Sequence, residues 1–295
     1  MPGRLKLVAF PRSFRWITIW QCLTARQSEI ERATHKPTDS LHGWDLHLRA
    51  LALRYQFTEE SVREAIVLLE RALAIDPAYA PAAAMIGFCR VHQRAHGLGR
   101  VPNAEIANAV GLARRAIEAG KGDPDALWMA GYTLSYLARE HATAADLIDR
   151  ALRLNRNSAH AWQAAGFVSV MQNQPASAIK AFEHAMRLSP LDPFERAFTM
   201  GMALAHFAAG RYLECIDWAD RTLRDEPRHL PAMHFKAASC AHLGRIEEAR
   251  DWIDRAFELE AGFTITRLKA LALPFPPELL ALYVEGLLKA GLPEE

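Results

Sequence analysis

Residues 159–190 read AHAWQAAGFVSVMQNQPASAIKAFEHAMRLSP, and this stretch decides the fold. Counted from Ala159, the small or aromatic residues Trp162, Gly166, Ala178, Phe182 and Ala185 fall at positions four, eight, twenty, twenty-four and twenty-seven, with Pro190 at thirty-two. Ala178 and Ala185 are one of six pairs of small residues spaced by seven, the others being Ala65/Ala72, Ala109/Ala116, Ala144/Ala151, Cys215/Thr222 and Ala249/Ala256. From Ala144 the pairs advance by 34, 37 and 34 residues. Small side chains recur where two antiparallel helices approach most closely, because a larger one would push them apart. A period of this length marks an array of helix hairpins.

The pattern resembles the tetratricopeptide repeat, and residues 159–190 match its consensus position for position. The preceding unit, counted from Asp125, is looser: Trp128 takes the aromatic place and Gly131 falls one position early. The resemblance implies an all-α, right-handed superhelical solenoid of about six units plus a C-terminal capping helix. The expected division is a basic lead-in at 1–40, the array at 41–260 and a cap at 261–295.

Composition agrees with a helical chain. Of 295 residues 51% are hydrophobic, and alanine and leucine dominate, which favours helix over strand. A solenoid grows by adding units, so this length needs no second core. The net charge of +1 gives no general pull toward nucleic acid or a membrane surface. Residues 1–26 hold Arg4, Lys6, Arg12, Arg15 and Arg26 and no acid; without those five the 35 basic residues fall to 30 against 34 acidic, so the array is mildly acidic. This lead-in fits neither the repeat nor the family. It reads as a short basic arm or an upstream remnant, and Trp16 and Trp20 offer a weak amphipathic anchor. The run Trp16 to Leu23 is far short of the ~20 residues a membrane span needs. Cys22, Cys89, Cys215 and Cys240 show no paired spacing, so a reducing cytoplasm is expected.

Along the chain, Leu41 to Phe57 reads as the first long helix, Thr58 caps the second, and Asp76-Pro77 ends that hairpin. Around Ala95 to Asn103 one unit is about ten residues longer, as a loop or an extra helical turn. Asp123-Pro124 and Asp192-Pro193 look like helix starts, and Gly210 and Gly244 mark tight turns. Past Glu260 the period stops; Phe263 to Leu273 and Pro274-Phe275-Pro276-Pro277 precede a final helix, Glu278 to Ala290, expected to cover the last unit.

Several stretches resemble, more narrowly, the C-terminal repeat region of bacterial class III adenylate/guanylate cyclase proteins and related winged-helix regulators. They are Trp44 to Ala50, Leu188 to Pro193, Thr264 to Leu268, Pro274-Phe275 and Glu285 to Pro293. His47 and Ala50 depart from the family's opening. In those proteins the catalytic or DNA-binding domain lies upstream, so the resemblance carries over no catalytic residue. It implies an interaction role in cyclic-nucleotide or transcriptional signalling.

Chemistry has little support in the sequence. His92 and His96 stand at the spacing that places two imidazoles on one helix face, but no third metal ligand is predictable. Ser135, Ser158, Ser169 and Ser239 lie in or at the starts of helices, outside any Gly-x-Ser-x-Gly element, and no phosphate-binding glycine loop is present. No enzyme activity, cofactor, metal or nucleic-acid partner is expected. In the tetratricopeptide family the first helix of each unit lines a concave groove. The resemblance therefore implies a groove of His160, Gln163, Phe167 and Met171, then Met200, Leu204 and Phe207, then His234 and His242. Methionine, aromatic and histidine side chains suit an apolar peptide or helix. The competing reading is that these periodic apolar positions fill the superhelix interior. Trp128 and Trp162 read as packing residues. The expected function is a cytoplasmic, non-catalytic scaffold that binds a protein or peptide; the alternative is the detached regulatory end of a cyclase-type protein.

Overall fold

The computed structural model describes residues 42–295 apart from 57, 100, 191, 193 and 194. Among the described residues there are fourteen helices and no strand. Twelve form six antiparallel hairpins: α1 (Gly43–Gln56) with α2 (Glu59–Ile75), α3 (Ala80–His96) with α4 (Asn103–Ala119), α5 (Pro124–Ala138) with α6 (His141–Leu154), α7 (Ala159–Met171) with α8 (Pro175–Leu188), α9 (Glu195–Ala208) with α10 (Tyr212–Asp225), and α11 (Leu230–His242) with α12 (Ile246–Leu259). The odd-numbered helices also touch one another in sequence, from α1 to α11, and so form the inner layer of a helical repeat solenoid. A short α13 (Ile265–Ala270) and a final α14 (Pro277–Lys289) follow, with α14 laid against α11.

The two layers have different sequences because they meet different surroundings. Outer helices bury one stripe: Val62, Ala65, Ile66, Leu69 and Ala72 in α2, and Ala144, Leu147, Ile148, Ala151 and Leu152 in α6. That 3–4 spacing puts the apolar side chains on one face and leaves the other to water. The inner helices α5 and α11 are enclosed all round. Every residue from Ala126 to Tyr136 in α5, and from Ala232 to Ala241 in α11, is buried. Fully burying one large aliphatic side chain stabilises by about 1.5–3 kcal/mol, so the inner layer supplies most of the cohesion.

The paired small residues sit on the seam. Ala65, Ala72, Ala144, Ala151, Ala178, Ala185, Cys215 and Thr222 have no exposed surface. Where threonine replaces alanine its hydroxyl needs a partner, and Thr222 Oγ1 meets Thr199 Oγ1 at 2.8 Å. The seam is tightest around Phe182: a Cβ on Gly166 would stand 2.7 Å from its ring, and one on Gly201 closer still.

Caps and turns follow the local sequence. Thr58 and Ser61 make a reciprocal capping box at α2, and Asp123 Oδ1 accepts from the backbone N–H groups of Asp125 and Ala126 ahead of Pro124. The turns within the last four hairpins each hold a left-handed residue, Arg139, Asn173, Gly210 and Gly244; glycine accommodates this without strain, and only those two were visible as turn markers. Most of the extra length of the second unit is helical, since α3 and α4 each have 17 residues against 13 and 14 in α7 and α8, and the rest lies in the connection at 97–102. Pro193 lies outside the described residues, as do Trp16, Trp20, Cys22 and the whole basic lead-in.

Candidate functional site

The inner helices face a common concave surface, and the array curls far enough for its second and sixth units to meet across it. The ring of His96, at the end of α3, lies 6.3 Å from that of His229, which caps α11. The C-terminal segment closes the remaining side. Residues 271–276 cross from α13 toward the third unit, where Arg139 donates from Nη1 to the Leu273 carbonyl at 2.8 Å and from Nη2 to that of Ala272 at 2.6 Å. Between these walls lies a partly enclosed cavity of about 190 Å3.

Seven of the nine residues expected in the groove line this cavity: His160, Gln163, Phe167, Met171, Met200, Leu204 and His234. The other two, Phe207 and His242, are placed differently, and here the expectation is corrected. Phe207 is fully buried against Tyr212, Phe235 and Tyr283. His242 stacks on Tyr212, and its Nε2 meets the Leu282 carbonyl at 2.9 Å. Both lie beneath α14, because the cap covers the last turns of the inner helices rather than only the end of the array.

Trp128 is a second correction. Gly131 aligns with Gly166, so the register of α5 is set by the glycine and Trp128 falls one position later than the packing tryptophan Trp162. It lines the cavity, stacked on His160 with ring centres 6.1 Å apart, while its Nε1 donates to Asp125. Trp162 packs at the outside of the seam, with its ring 4.4 Å from that of His184.

On the polar side of the cavity, Arg54, Arg196 and His229 were not anticipated from the sequence. Arg54, only 4% exposed, lies over the Phe88 ring at 5.1 Å, and the Phe88 ring is 4.3 Å from that of His92. The rings of His92 and His96 are 5.8 Å apart. Arg196 stands on the same side and pairs with Glu226 at 3.2 Å, and His160 faces Asp192 at 3.8 Å. Burial holds the imidazoles of His92, His96, His229 and His234 neutral. It drives His96 down to about 3, helped by His229 and Arg196, and His229 to about 4, helped by Arg196. His92 is held well below its usual value by burial and then by Arg54, and His234 is pushed to about 4 by burial alone. Among the described residues no group of three or more His, Cys, Asp or Glu side chains is placed to hold a metal ion.

Ser135 and Ser158 serve structure. Ser135 Oγ is buried between His141 Nδ1 at 2.8 Å and the Met171 sulfur at 3.1 Å, and Ser158 caps α7. Among the described residues no helix is long and apolar enough to cross a membrane.

The family model for anaphase-promoting complex, cyclosome, subunit 3 matches residues 171–256, from the end of α7 into α12. No curated protein matches the chain. Among solved structures, PilF of Pseudomonas aeruginosa aligns with a TM-score of 0.50 at 18% identity, over 84% of this chain and 97% of its own. PilW, a widely conserved type IV pilus biogenesis factor, aligns with a TM-score of 0.52 at 17% identity, over 70% and 93%. YrrB, a TPR protein with an unusual peptide-binding site, gives 0.44 at 18% identity, over 70% and 98%. At these identities the likeness is one of fold, and with the six hairpins it is that of a helical repeat solenoid.

Proposed function

We propose that this chain is a non-catalytic, protein-binding scaffold whose concave face takes a peptide or helix once residues 271–276 swing aside. The observation that carries the reading is the construction of that wall. The side opposite the inner helices is a helix-free, proline-rich strap held to the third unit by Arg139, and the surface behind it presents Phe167, Met171, Met200 and Leu204. An apolar helix needs a channel about 10 Å wide, which a cavity of about 190 Å3 does not offer while the strap is in place. Binding and strap release are therefore coupled.

In this proposal the setting is cytoplasmic and the role lies in cyclic-nucleotide or transcriptional signalling, either as a separate adaptor or as the regulatory end of a cyclase-type polypeptide. The buried free thiols of Cys89, Cys215 and Cys240 suit a reducing compartment. Support for the signalling context is the family-like wording of residues 264–268 and 285–293. The Ile265 and Thr266 N–H groups donate to the Pro293 and Glu294 carbonyls, so the two stretches work together.

Partner capture with the native chain tests the reading. The bound partner should be lost in Phe167→Glu and Met200→Glu variants that keep their helical circular dichroism, and bound more tightly by Arg139→Ala. Unchanged binding by the folded glutamate variants overturns the concave assignment. The mass and N-terminal peptide of the protein in its host separate the adaptor from the larger polypeptide.

A further inference from the structure

Much of the cavity wall behind the strap is aromatic. Phe88 of α3, Trp128 and Tyr132 of α5 and Phe167 of α7 line it and form one run of ring contacts, with centres 5.0 Å apart for Phe88 and Trp128 and 5.9 Å for Tyr132 and Phe167. Phe235 of α11 and Phe275 of the strap add a second pair, 6.3 Å apart. Uncharged polar groups stand among these rings. Gln163, His234 and Tyr132 all line the cavity and are only 9%, 5% and 8% exposed. Among the described residues none of the three makes a side-chain hydrogen bond, yet none of their polar atoms is sealed in by protein. For side chains this deep, the open space they touch is the cavity. We infer that this cavity binds a small neutral phenol, its ring among the aromatic side chains and its hydroxyl held by the uncharged polar groups, Gln163 and His234 foremost. This site does not depend on the protein-binding reading above.

Size sets the class. An apolar cavity of about 150 Å3 takes benzene, so about 190 Å3 admits one substituted ring. Aromatic walls favour an aromatic guest, because edge-to-face and offset contacts add to the burial of area. The polar groups set the substituent. A buried amide or imidazole is costly to leave without a partner, and a hydroxyl, which both donates and accepts, satisfies either one.

The surroundings also set the charge of the guest. Arg196 pairs with Glu226 at 3.2 Å, and the Arg54 guanidinium lies over the rings of Phe88 and Tyr55 at 5.1 Å and 5.4 Å, so both cations are already engaged. His234 is held uncharged by its burial. A carboxylate would have to shed its water and compete for cations that have contacts of their own, whereas a neutral hydroxyl gives up far less.

Calorimetric titration of the full chain at pH 7.5 with phenol and p-cresol, against p-xylene and benzoate, tests the site. p-Cresol should bind about tenfold or more tightly than p-xylene, which has its shape without the hydroxyl, and more tightly than benzoate. A merely apolar cavity would prefer xylene, the more hydrophobic of the two. The double variant Gln163→Leu, His234→Phe should lose the preference for cresol over xylene. Should that variant fail to fold, Leu271→Trp decides, because it fills the cavity from a half-buried position on the strap and should abolish binding. Xylene bound as tightly as cresol, benzoate bound more tightly than cresol, a preference that survives in the folded double variant, binding unchanged in Leu271→Trp, or no heat from either phenol overturns the inference.

Discussion

The seam inside each hairpin and the face that the hairpins enclose are built from the same inner helices, yet one has no space for a methyl group and the other holds a cavity of about 190 Å3. At the seam Phe182 is wedged between Gly166 and Gly201, with no exposed surface. On the concave side Met200 and Leu204, one turn apart on the same helix as Gly201, border open volume. The difference is one of range. Contacts at the seam are made between neighbouring helices and are settled residue by residue, whereas the concave space is what remains after six units have curved round and met their own C-terminus.

The largest effect should come from the seam. Phe182→Ala removes a ring packed between α7 and α9 and should cost about 3–5 kcal/mol, read from denaturant unfolding. Gly166→Ala forces a Cβ against that ring, which its burial prevents from yielding, and should cost about 1–3 kcal/mol despite the better helix propensity of alanine. In the Phe182→Ala background the same change should become neutral or stabilising. A double-mutant cycle that found the two changes additive would show that the seam is not as tight as its geometry. On the concave side, Leu204→Met should cost under about 1.5 kcal/mol, since the cavity takes up the change in shape.

That same difference in range governs what could be read from the chain. The alanine pairs and the unit from Ala159 to Pro190 report on neighbouring helices, and they led directly to the six hairpins. Of the residues expected on the concave face, the four in α7 and Met200 and Leu204 in α9 border the cavity. Trp128 was misplaced because the register was taken from the aromatic residue, while Gly131, which must pass α6 closely, fixes it. Phe207 and His242 were misplaced for another reason: their position in the repeat is concave, but α14 covers it. Nothing local tells Arg139 that the carbonyls of residues 272 and 273 will arrive beside it, because that meeting depends on small rotations accumulated over several units. His92 and His96 were noticed as a pair, but their neighbour His229 comes from the other end of the array.

The concave wall should dominate the response to acid. His234 stacks on Phe263 with ring centres 4.8 Å apart and is held at about 4, below the usual 6.5. The unfolded chain therefore takes up its proton first as pH falls, and stability, complete above about 6.5, declines until the folded value near 4 is reached. His229 and His96 act in the same direction, surrounded by Arg196, Glu226 and Arg54. His234→Phe should keep the stacking and flatten the loss between pH 7 and pH 4.5 by on the order of 2 kcal/mol. An unaltered slope would mean that His234 is solvated, and so that the cavity wall is looser than the seam by far more than its volume suggests.

The smallest global effect, and the most local, belongs to the strap. Arg139→Ala removes two hydrogen bonds at the surface and should lower overall stability by only about 0.5–1.5 kcal/mol, because water replaces much of what is lost. Its consequence for residues 271–276 should be larger than that figure implies. Residues 272–276 of the strap lie outside any helix, and Arg139 ties the strap to the third unit. Hydrogen exchange in residues 271–275 should quicken in the variant while the amides of α7 and α8 exchange as before, since the seam does not feel the strap. If both regions quicken together, the concave face and the seam unfold as one unit. The contrast between them would then be one of packing alone, and no ligand could open the face without melting the array.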